Sequence, residues 1–523
     1  MDSFKAQVQS LSLEEKIGQM IGLAFHGTTY NDELRMQVEE IKVGLIIYFK
    51  DNIQNPQQVF ELNKTILEKA KIPPFIALDQ EGGMVARVTE GIVQSPGAMA
   101  IGATHKPQYA YQLAYNMGCE LRALGFNFNF APVGDINNNS QNPVINVRSY
   151  SENPEEVAEF VVSATRGYHD AKLMTSIKHF PGHGDTNVDS HIGLPKVDFD
   201  EKRLFEVELK PFLKAKEFNL PGIMASHVMF TKYDEEFPTT LSQKVITGLL
   251  RERIGYDGLV VTDSLTMQAV WSHYTLEEIV LYGFNSGCDI LLLCGARDMA
   301  MQKRFYELAL NYAKSGQIPM KVIDKAVERI LRYKAMYQVR AIATSFDSVK
   351  PKLLDPQAVS FSEKVSLKSI SLIQDPHGCL PIKPHEKALI VFPKIKVVTL
   401  VEDPVSGLSS LHDYMKDCSD KFYISLTPTS EEIKTLKTLV EKYEKIVYCS
   451  YNARLNEGQA EVIKQIDVKK LVVASLRTPY DLQVLHPDTT YLCAYEATPL
   501  SFKSLAKILT GKEKPTGKIP VSI

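Results

Sequence analysis

No apolar run in this 523-residue chain approaches the roughly 20 residues that span a bilayer; the densest, VGLIIYF and ILLLCGA, stop far short. The first twenty residues, MDSFKAQVQSLSLEEKIGQM, lack the central apolar block of a secretory signal. Cysteine is sparse: seven residues, odd in number and scattered, with no CxxC pair, so neither a zinc knuckle nor a disulfide framework is suggested. Neither sign of charge dominates, with 59 Lys plus Arg against 62 Asp plus Glu. A net charge of −3 gives no general attraction to nucleic acid or to an anionic membrane. Internal repeats and low-complexity tracts are also missing. These absences point to a cytoplasmic protein with no nucleic-acid or membrane partner, and a monomer is expected. What is present is ordinary globular composition, 44% hydrophobic and 23% charged, in a length that calls for two or three domains or one large barrel plus a companion.

Short β-rich runs alternate with helix-length segments through the first two thirds. Candidate strands fall at 44–48, 74–78, 126–131, 174–178, 222–225, 258–262 and 289–293, with helical patterns at 55–71, 107–124, 154–171 and 201–217. The alternation reads as βα units, and seven or eight of them in residues 1–340 fit a TIM-type (β/α)8 barrel better than an open doubly wound sheet. Polar residues cluster at the strand ends: Asp79, Asp135, Lys178 with His179, Ser226 with His227, and Asp263. In a barrel those ends share one mouth. Residues 341–358 lose the pattern and read as a surface linker. Residues 359–523 then carry a second set of apolar runs (SISLI, ALIVF, KIVYCS, KLVVAS, TYLCAY) between helical segments, the pattern of a smaller three-layer α/β sandwich.

The densest chemistry lies in KHFPGHGDTNVDSHIGLP, residues 178–195. His179 and His183 have the spacing of helical metal ligands, but Pro181 and Gly182 between them argue against a helix, so no metal is assigned. No third glycine or Gly-Lys-Ser/Thr supports a phosphate loop, and no G-x-S-x-G elbow occurs anywhere. Asp189 and His191, two residues apart in a loop, can hydrogen-bond. A carboxylate on one ring nitrogen fixes the tautomer and leaves the other nitrogen to move protons. Asp263, at the end of GLVVTD, is the natural nucleophile, with Ser264 the alternative. A carboxylate nucleophile opposite a proton donor is the arrangement of a retaining glycosidase. Asp79, Arg87, Arg148, Lys178 and His179 would then hold the sugar hydroxyls.

The blocks ALDQEGGMVAR (77–87), FAPVGDINNNSQNPVINVRSY (130–150), KHFPGHGDTNVDSHIGLP (178–195) and LVVTDSLTM (259–267) together resemble glycoside hydrolase family 3, in its β-N-acetylglucosaminidase branch. The C-terminal runs SISLIQDPHGCLPI, LVVASLRTPYDL and LAKILTGKEKPTGKIPVSI resemble that family's α/β sandwich. The resemblance implies Asp263 as nucleophile, His191 as acid/base held by Asp189, and Asp79, Arg87, Arg148, Lys178 and His179 as substrate contacts. It implies a terminal N-acetylglucosamine as substrate, typically on muropeptides of recycled cell wall, with no cofactor, and leaves the second domain a largely structural part. Because neutral imidazole repels an anionic acceptor less than a carboxylate does, phosphorolysis is the alternative reaction. A catalytically silent muropeptide-binding barrel is the alternative outside catalysis.

Overall fold

Eight short runs of aliphatic and aromatic residues, each too brief for a helix and flanked by polar or turn residues, form parallel strands. In the computed structural model, which describes residues 2–218, 221–295, 298–383, 385–395 and 409–523, these are β1 (Ile21–Ala24), β2 (Leu45–Tyr48), β3 (Phe75–Leu78), β4 (Phe128–Asn129), β5, β6 (Gly222–Ala225), β7 (Leu259–Ser264) and β8 (Ile290–Leu293). β5 runs in two halves, Met174–Thr175 and Ile177–Phe180. Its first half pairs with β4 and its second with β6, while the Ser176 N–H turns to the Asn129 carbonyl at 3.2 Å. With β1 joining β2 to β8, the sheet closes into a ring. The strands are buried on both faces, as parallel strands enclosed by helices must be.

Seven of these strands match the candidate runs. β1 is the addition: helix Leu13–Gln19 runs into it through Met20 with no turn residue to mark the change, so it reads as more helix. The helices Pro56–Lys69, Pro107–Ala123 and Pro154–Asp170 all begin with proline at a first-turn position, where its missing N–H costs nothing. Asn55 and Asn153 cap two of them by accepting backbone N–H bonds. The single helix expected over 201–217 is two, Glu201–Glu206 and Lys210–Glu217. Pro211 explains the break, since its ring collides with the carbonyl four residues earlier in a continuous helix.

Residues 341–358 contain a short helix, Phe346–Val349, a 3-10 turn, Lys350–Lys352, and the start of helix Pro356–Ser369, which is capped by Asp355. Beyond lies a six-stranded sheet: β9 (Ser371–Gln374), β10 (Ala388–Pro393), β11 (Ser419–Ile424), β12 (Lys445–Ser450), β13 (Leu471–Ser475) and β14 (Thr490–Cys493). The spatial order is β9-β14-β13-β12-β10-β11, with β9 antiparallel to β14 and the other pairs parallel. Alternation splits its side chains between two cores, Leu389 and Val391 on one face, Ile390 and Phe392 on the other, so helices cover both. β11 lies outside the expected runs because it is an edge strand whose sequence, SDKFYI, opens with three polar residues and holds no continuous apolar run of strand length. No helix among the described residues is long and apolar enough to cross a membrane.

Gly44 enters β2 under severe crowding. Its N–H lies 2.9 Å from the Gly18 carbonyl, and a Cβ there would sit 1.8 Å from the Gln19 carbonyl oxygen. Backbone has to move to admit it, so Gly44→Ala should lose about 1–3 kcal/mol in chemical unfolding, the usual cost of overpacking. Unchanged stability would mean that β1 and β2 tolerate separation.

Candidate active site

The C-terminal ends of the barrel strands open on a cavity of about 350 Å³ lined by Asp79, Arg87, Arg148, Lys178, His179, His191 and Asp263. The remaining expected residue, Asp189, stands behind His191, its carboxylate 2.8 Å from the ring Nδ1. The fold therefore gathers residues from six segments of sequence at one mouth.

Asp263 is the penultimate residue of β7, and its Oδ1 accepts the Ser264 N–H at 2.7 Å. Burial pushes its carboxyl up, but the imidazoles of His227, His179 and His191 outweigh that and hold it at about 2. It is an anion at any neutral pH. His227, two residues past β6, fixes the adjacent backbone. Its Nε2 donates to the Ser264 carbonyl at 2.7 Å, and its Nδ1 lies 2.8 Å from the Thr240 hydroxyl.

In the loop after β5, one Asp189 oxygen takes both the backbone N–H of His191, at 2.9 Å, and its ring Nδ1. Burial raises the Asp189 carboxyl, and the His191 contacts bring it below its ordinary range. An ionised acceptor on Nδ1 keeps the proton there and leaves Nε2 to exchange protons. Ser190, between the two, is pinned from both sides. Its carbonyl accepts the Ala269 N–H at 3.2 Å, and its hydroxyl meets His183 Nε2 at 3.2 Å. The Thr186 hydroxyl donates to the His183 carbonyl and so accepts from Nδ1 at 2.7 Å. Burial pushes His183 down to about 4, so it is a neutral ring that donates at one nitrogen and accepts at the other.

Opposite lies a ladder of alternating charges. Asp79, just past β3, accepts Lys178 Nζ at 2.8 Å and faces Arg87 Nη2 at 3.4 Å. Lys178, in the second half of β5, also reaches Glu81 at 2.6 Å. Arg148, at the end of the 3-10 turn Asn146–Arg148, grips Glu81 with Nε at 2.9 Å and Nη2 at 2.8 Å. Arg87 also stacks over Phe49, its guanidinium 5.4 Å from the ring centre. Burial alone would raise the Glu81 carboxyl; Arg148 and Lys178 overcome that and drive it well below its ordinary range. In this ladder Arg87, Lys178 and Arg148 alternate with Asp79 and Glu81.

Sequence reading leaves Glu81 outside the site, although Asp79 and Glu81 are two apart where the chain enters the short strand Gln80–Gly82, so both face one side. Asp135, noted only as a strand-end residue, is the hub under the histidines. Its fully buried carboxylate accepts His179 Nδ1 at 2.6 Å and the backbone N–H groups of His179 and His183 at 3.2 and 2.7 Å. Burial raises its carboxyl, but the His179 and His183 contacts win and lower it. A depressed carboxyl stabilises the fold above its ordinary pKa and loses that contribution as pH falls through the lowered value. Asp135→Asn should thus cost about 3 kcal/mol near pH 7, and the gap to wild type should shrink under acid, measured by urea unfolding across pH. A pH-independent gap would remove the ionised carboxylate from this account.

The chain has recognisable relatives. Residues 12–333 match the glycosyl hydrolase family 3 N-terminal domain. The chain is 29% identical to beta-hexosaminidase A of Pseudoalteromonas piscicida, with 95% of this chain and 92% of that protein aligned. It is 36% identical to a beta-hexosaminidase of Alkalilimnicola ehrlichii over 281 residues, 53% of this chain and 80% of that protein. A solved glycoside hydrolase family 3 beta-N-acetylglucosaminidase from Paenibacillus sp. FPU-7 superposes with a TM-score of 0.92 at 36% identity, covering 98% of this chain and 99% of that one. With the family match spanning the whole barrel and the likeness continuing through the sandwich, the chain belongs to glycosyl hydrolase family 3 and is a glycoside hydrolase.

Proposed function

We propose that the protein is a retaining exo-β-N-acetylglucosaminidase that removes terminal N-acetylglucosamine from muropeptides or related β-N-acetylglucosaminides in the cytoplasm. The observation that carries this reading is the pairing, across one cavity, of an ionised Asp263 with an Asp189-backed His191, beside the Asp79–Arg148 ladder. A space of about 350 Å³ suits one N-acetylated pyranose better than a polymer, which favours cleavage at a chain end. The names of the relatives support the sugar.

In this mechanism the Asp263 carboxylate attacks the anomeric carbon while His191 Nε2–H protonates the leaving oxygen. The imidazole, now neutral, then takes a proton from water as water opens the glycosyl-enzyme. Asp189 stabilises the imidazolium whenever it forms. Arg87, Arg148, Lys178, His179 and Asp79 hold the hydroxyls. The leaving group departs on the His191 side, where Val188 and Ile192 are 42% and 73% exposed and offer it apolar surface.

Release of 4-nitrophenol from its β-N-acetylglucosaminide, compared with the β-glucoside, tests the reading. Cleavage of the first alone is expected. Asp263→Asn should lower kcat at least about 10³-fold, since its amide is a poor nucleophile. His191→Ala should give a burst of nitrophenol followed by a rate lowered about 10²–10⁴-fold, because this leaving group needs little acid while deglycosylation needs the base. Sugar 1-phosphate formed in phosphate buffer would move the main reaction to phosphorolysis. No turnover by the folded protein, with sugar binding retained, would leave a silent binding barrel.

A further inference from the structure

Behind the charge ladder, the second domain enters the barrel. Met99, Ala100, Ala103 and Val147 of the barrel share one apolar core with Tyr480 and Tyr495 of the sandwich. Just past β14, Tyr495 adopts φ +64° while fully buried, a conformation that a bulky side chain keeps only where its surroundings impose it. Its hydroxyl meets the Ser371 hydroxyl at 2.7 Å. The turn delivers Glu496 to the barrel. One oxygen accepts the Gly97 N–H at 2.6 Å, and the other accepts the Thr498 hydroxyl at 2.8 Å. The next N–H, of Ala497, lies 3.3 Å from the Met84 sulfur.

Met84 lies in the turn of the short hairpin that carries the ladder, and Gly97 packs against that turn at Gly83. Its strands, Gln80–Gly82 and Val85–Ala86, hold Glu81 and lead directly into Arg87, and Gly83 N–H ties it to the Ser95 carbonyl at 2.8 Å. Gly83, at φ +57°, passes so near that a Cβ would stand 2.7 Å from the Glu496 carboxylate. Glu81, Arg148 and Glu496 line one small void.

We propose that Glu496 is a positioning residue for substrate binding: from the second domain it fixes the 82–97 loop so that Glu81 presents Arg148 and Lys178 at the mouth. This rests on the reading that Arg148 and Lys178 hold the sugar. The bland alternative, a contact that only glues two domains together, makes a different prediction for catalysis.

Burial raises the Glu496 carboxyl to about 7. The charged groups facing it, Glu81 and Arg148, neutralise each other, and Gly97 and Thr498 supply its only other polar neighbours among the described contacts. A raised carboxyl gives its full stabilisation below the ordinary value and loses it as pH climbs through 7. In Glu496→Gln the amide oxygen still accepts the Gly97 N–H, while the amide nitrogen donates to the Thr498 hydroxyl and reverses that bond without the charge, so its unfolding midpoint should rise above wild type at pH 8 and match it near pH 5.

Steady-state kinetics of Glu496→Ala, Glu496→Asp and Glu496→Gln on the 4-nitrophenyl β-N-acetylglucosaminide test the proposal, with hydrogen exchange of the same full-length proteins. Ala and the too-short Asp should lose about ten-fold in kcat/KM, mainly through KM, while Gln stays within about two-fold of wild type. Exchange should quicken at 80–87 and 146–148 and stay unchanged in β12 and β13. Wild-type kcat/KM in Glu496→Ala together with a lower Tm, or failure of Gln to rescue, would overturn it in favour of a purely structural contact. If wild type itself does not turn over this substrate, the functional reading fails, and exchange at 80–87 alone decides for or against Glu496 as the anchor.

Discussion

Five charged side chains buried at one end of a barrel must be neutralised where they stand, and that requirement organises the mouth. An unpaired buried charge costs several kcal/mol, so Lys178 cannot sit at the end of β5 unless carboxylates meet it. Asp79 and Glu81 do so from neighbouring backbone, and each recruits an arginine from elsewhere, Arg87 and Arg148. The chain of contacts ties β3, the hairpin behind it, the 3-10 turn before Ser149 and β5 into one object. Its shape is a consequence of charge pairing as much as of sheet geometry. The bidentate Glu81–Arg148 contact matters most here, because two parallel bonds fix orientation as well as distance.

Across the cavity the same economy runs with imidazoles in place of fixed cations. Asp135 and Asp189 are buried and Asp263 is partly so, and burial alone would raise each; neighbouring histidines pull each one back down. The histidines divide by environment. His183 is driven to about 4 and serves as a neutral brace between Thr186 and Ser190. His227 is pushed below its ordinary range and anchors the backbone beside Asp263. Of the four site histidines described, His179, His183, His191 and His227, His191 alone combines a carboxylate on Nδ1 with a partly exposed ring, 21% accessible. Similar residues thus meet different surroundings, which leave one ring open to the cavity and lock others into the fold.

Much of this was legible in the sequence, for a definite reason. Parallel strands buried on both faces are continuous apolar runs, and the site sits where those runs end, so Asp79, Lys178, His179 and Asp263 are marked by position alone. Asp189 and His191 are adjacent enough for their pairing to be read directly. β1 escaped because a helix flows into it without a turn, and β11 because an edge strand carries mixed side chains. Glu81 left a weak trace, its two-residue spacing from Asp79. Asp135 was visible as a strand end, but its work as a hub depends on His179 and His183 folding back over it. Glu496 left no trace, since nothing near it in sequence tells that it meets Gly97, some 400 residues away.

That last contact belongs to a wider division of labour. The sandwich reaches the loops after β3 and β4: Glu496 meets Gly97, the Tyr480 hydroxyl takes the Asn137 amide at 2.8 Å, Arg454 reaches the Ser140 carbonyl at 3.3 Å, and the Pro520 carbonyl takes the Ser151 hydroxyl at 2.8 Å. Those loops carry Glu81, Arg87, Asp135 and Arg148. The loop bearing His191 and the end of β7 bearing Asp263 are braced by the barrel itself, through Ser190 with His183, Ala269 with Ser190, and His227 with Ser264. Long loops are the least stable parts of a barrel, and each hydrogen bond adds only about 1 kcal/mol, so holding a loop requires several contacts from a rigid surface. A β/α barrel supplies such a surface on its inner side. On the side of the β3 and β4 loops that carries Gly97, Asn137, Ser140 and Ser151, the sandwich supplies it.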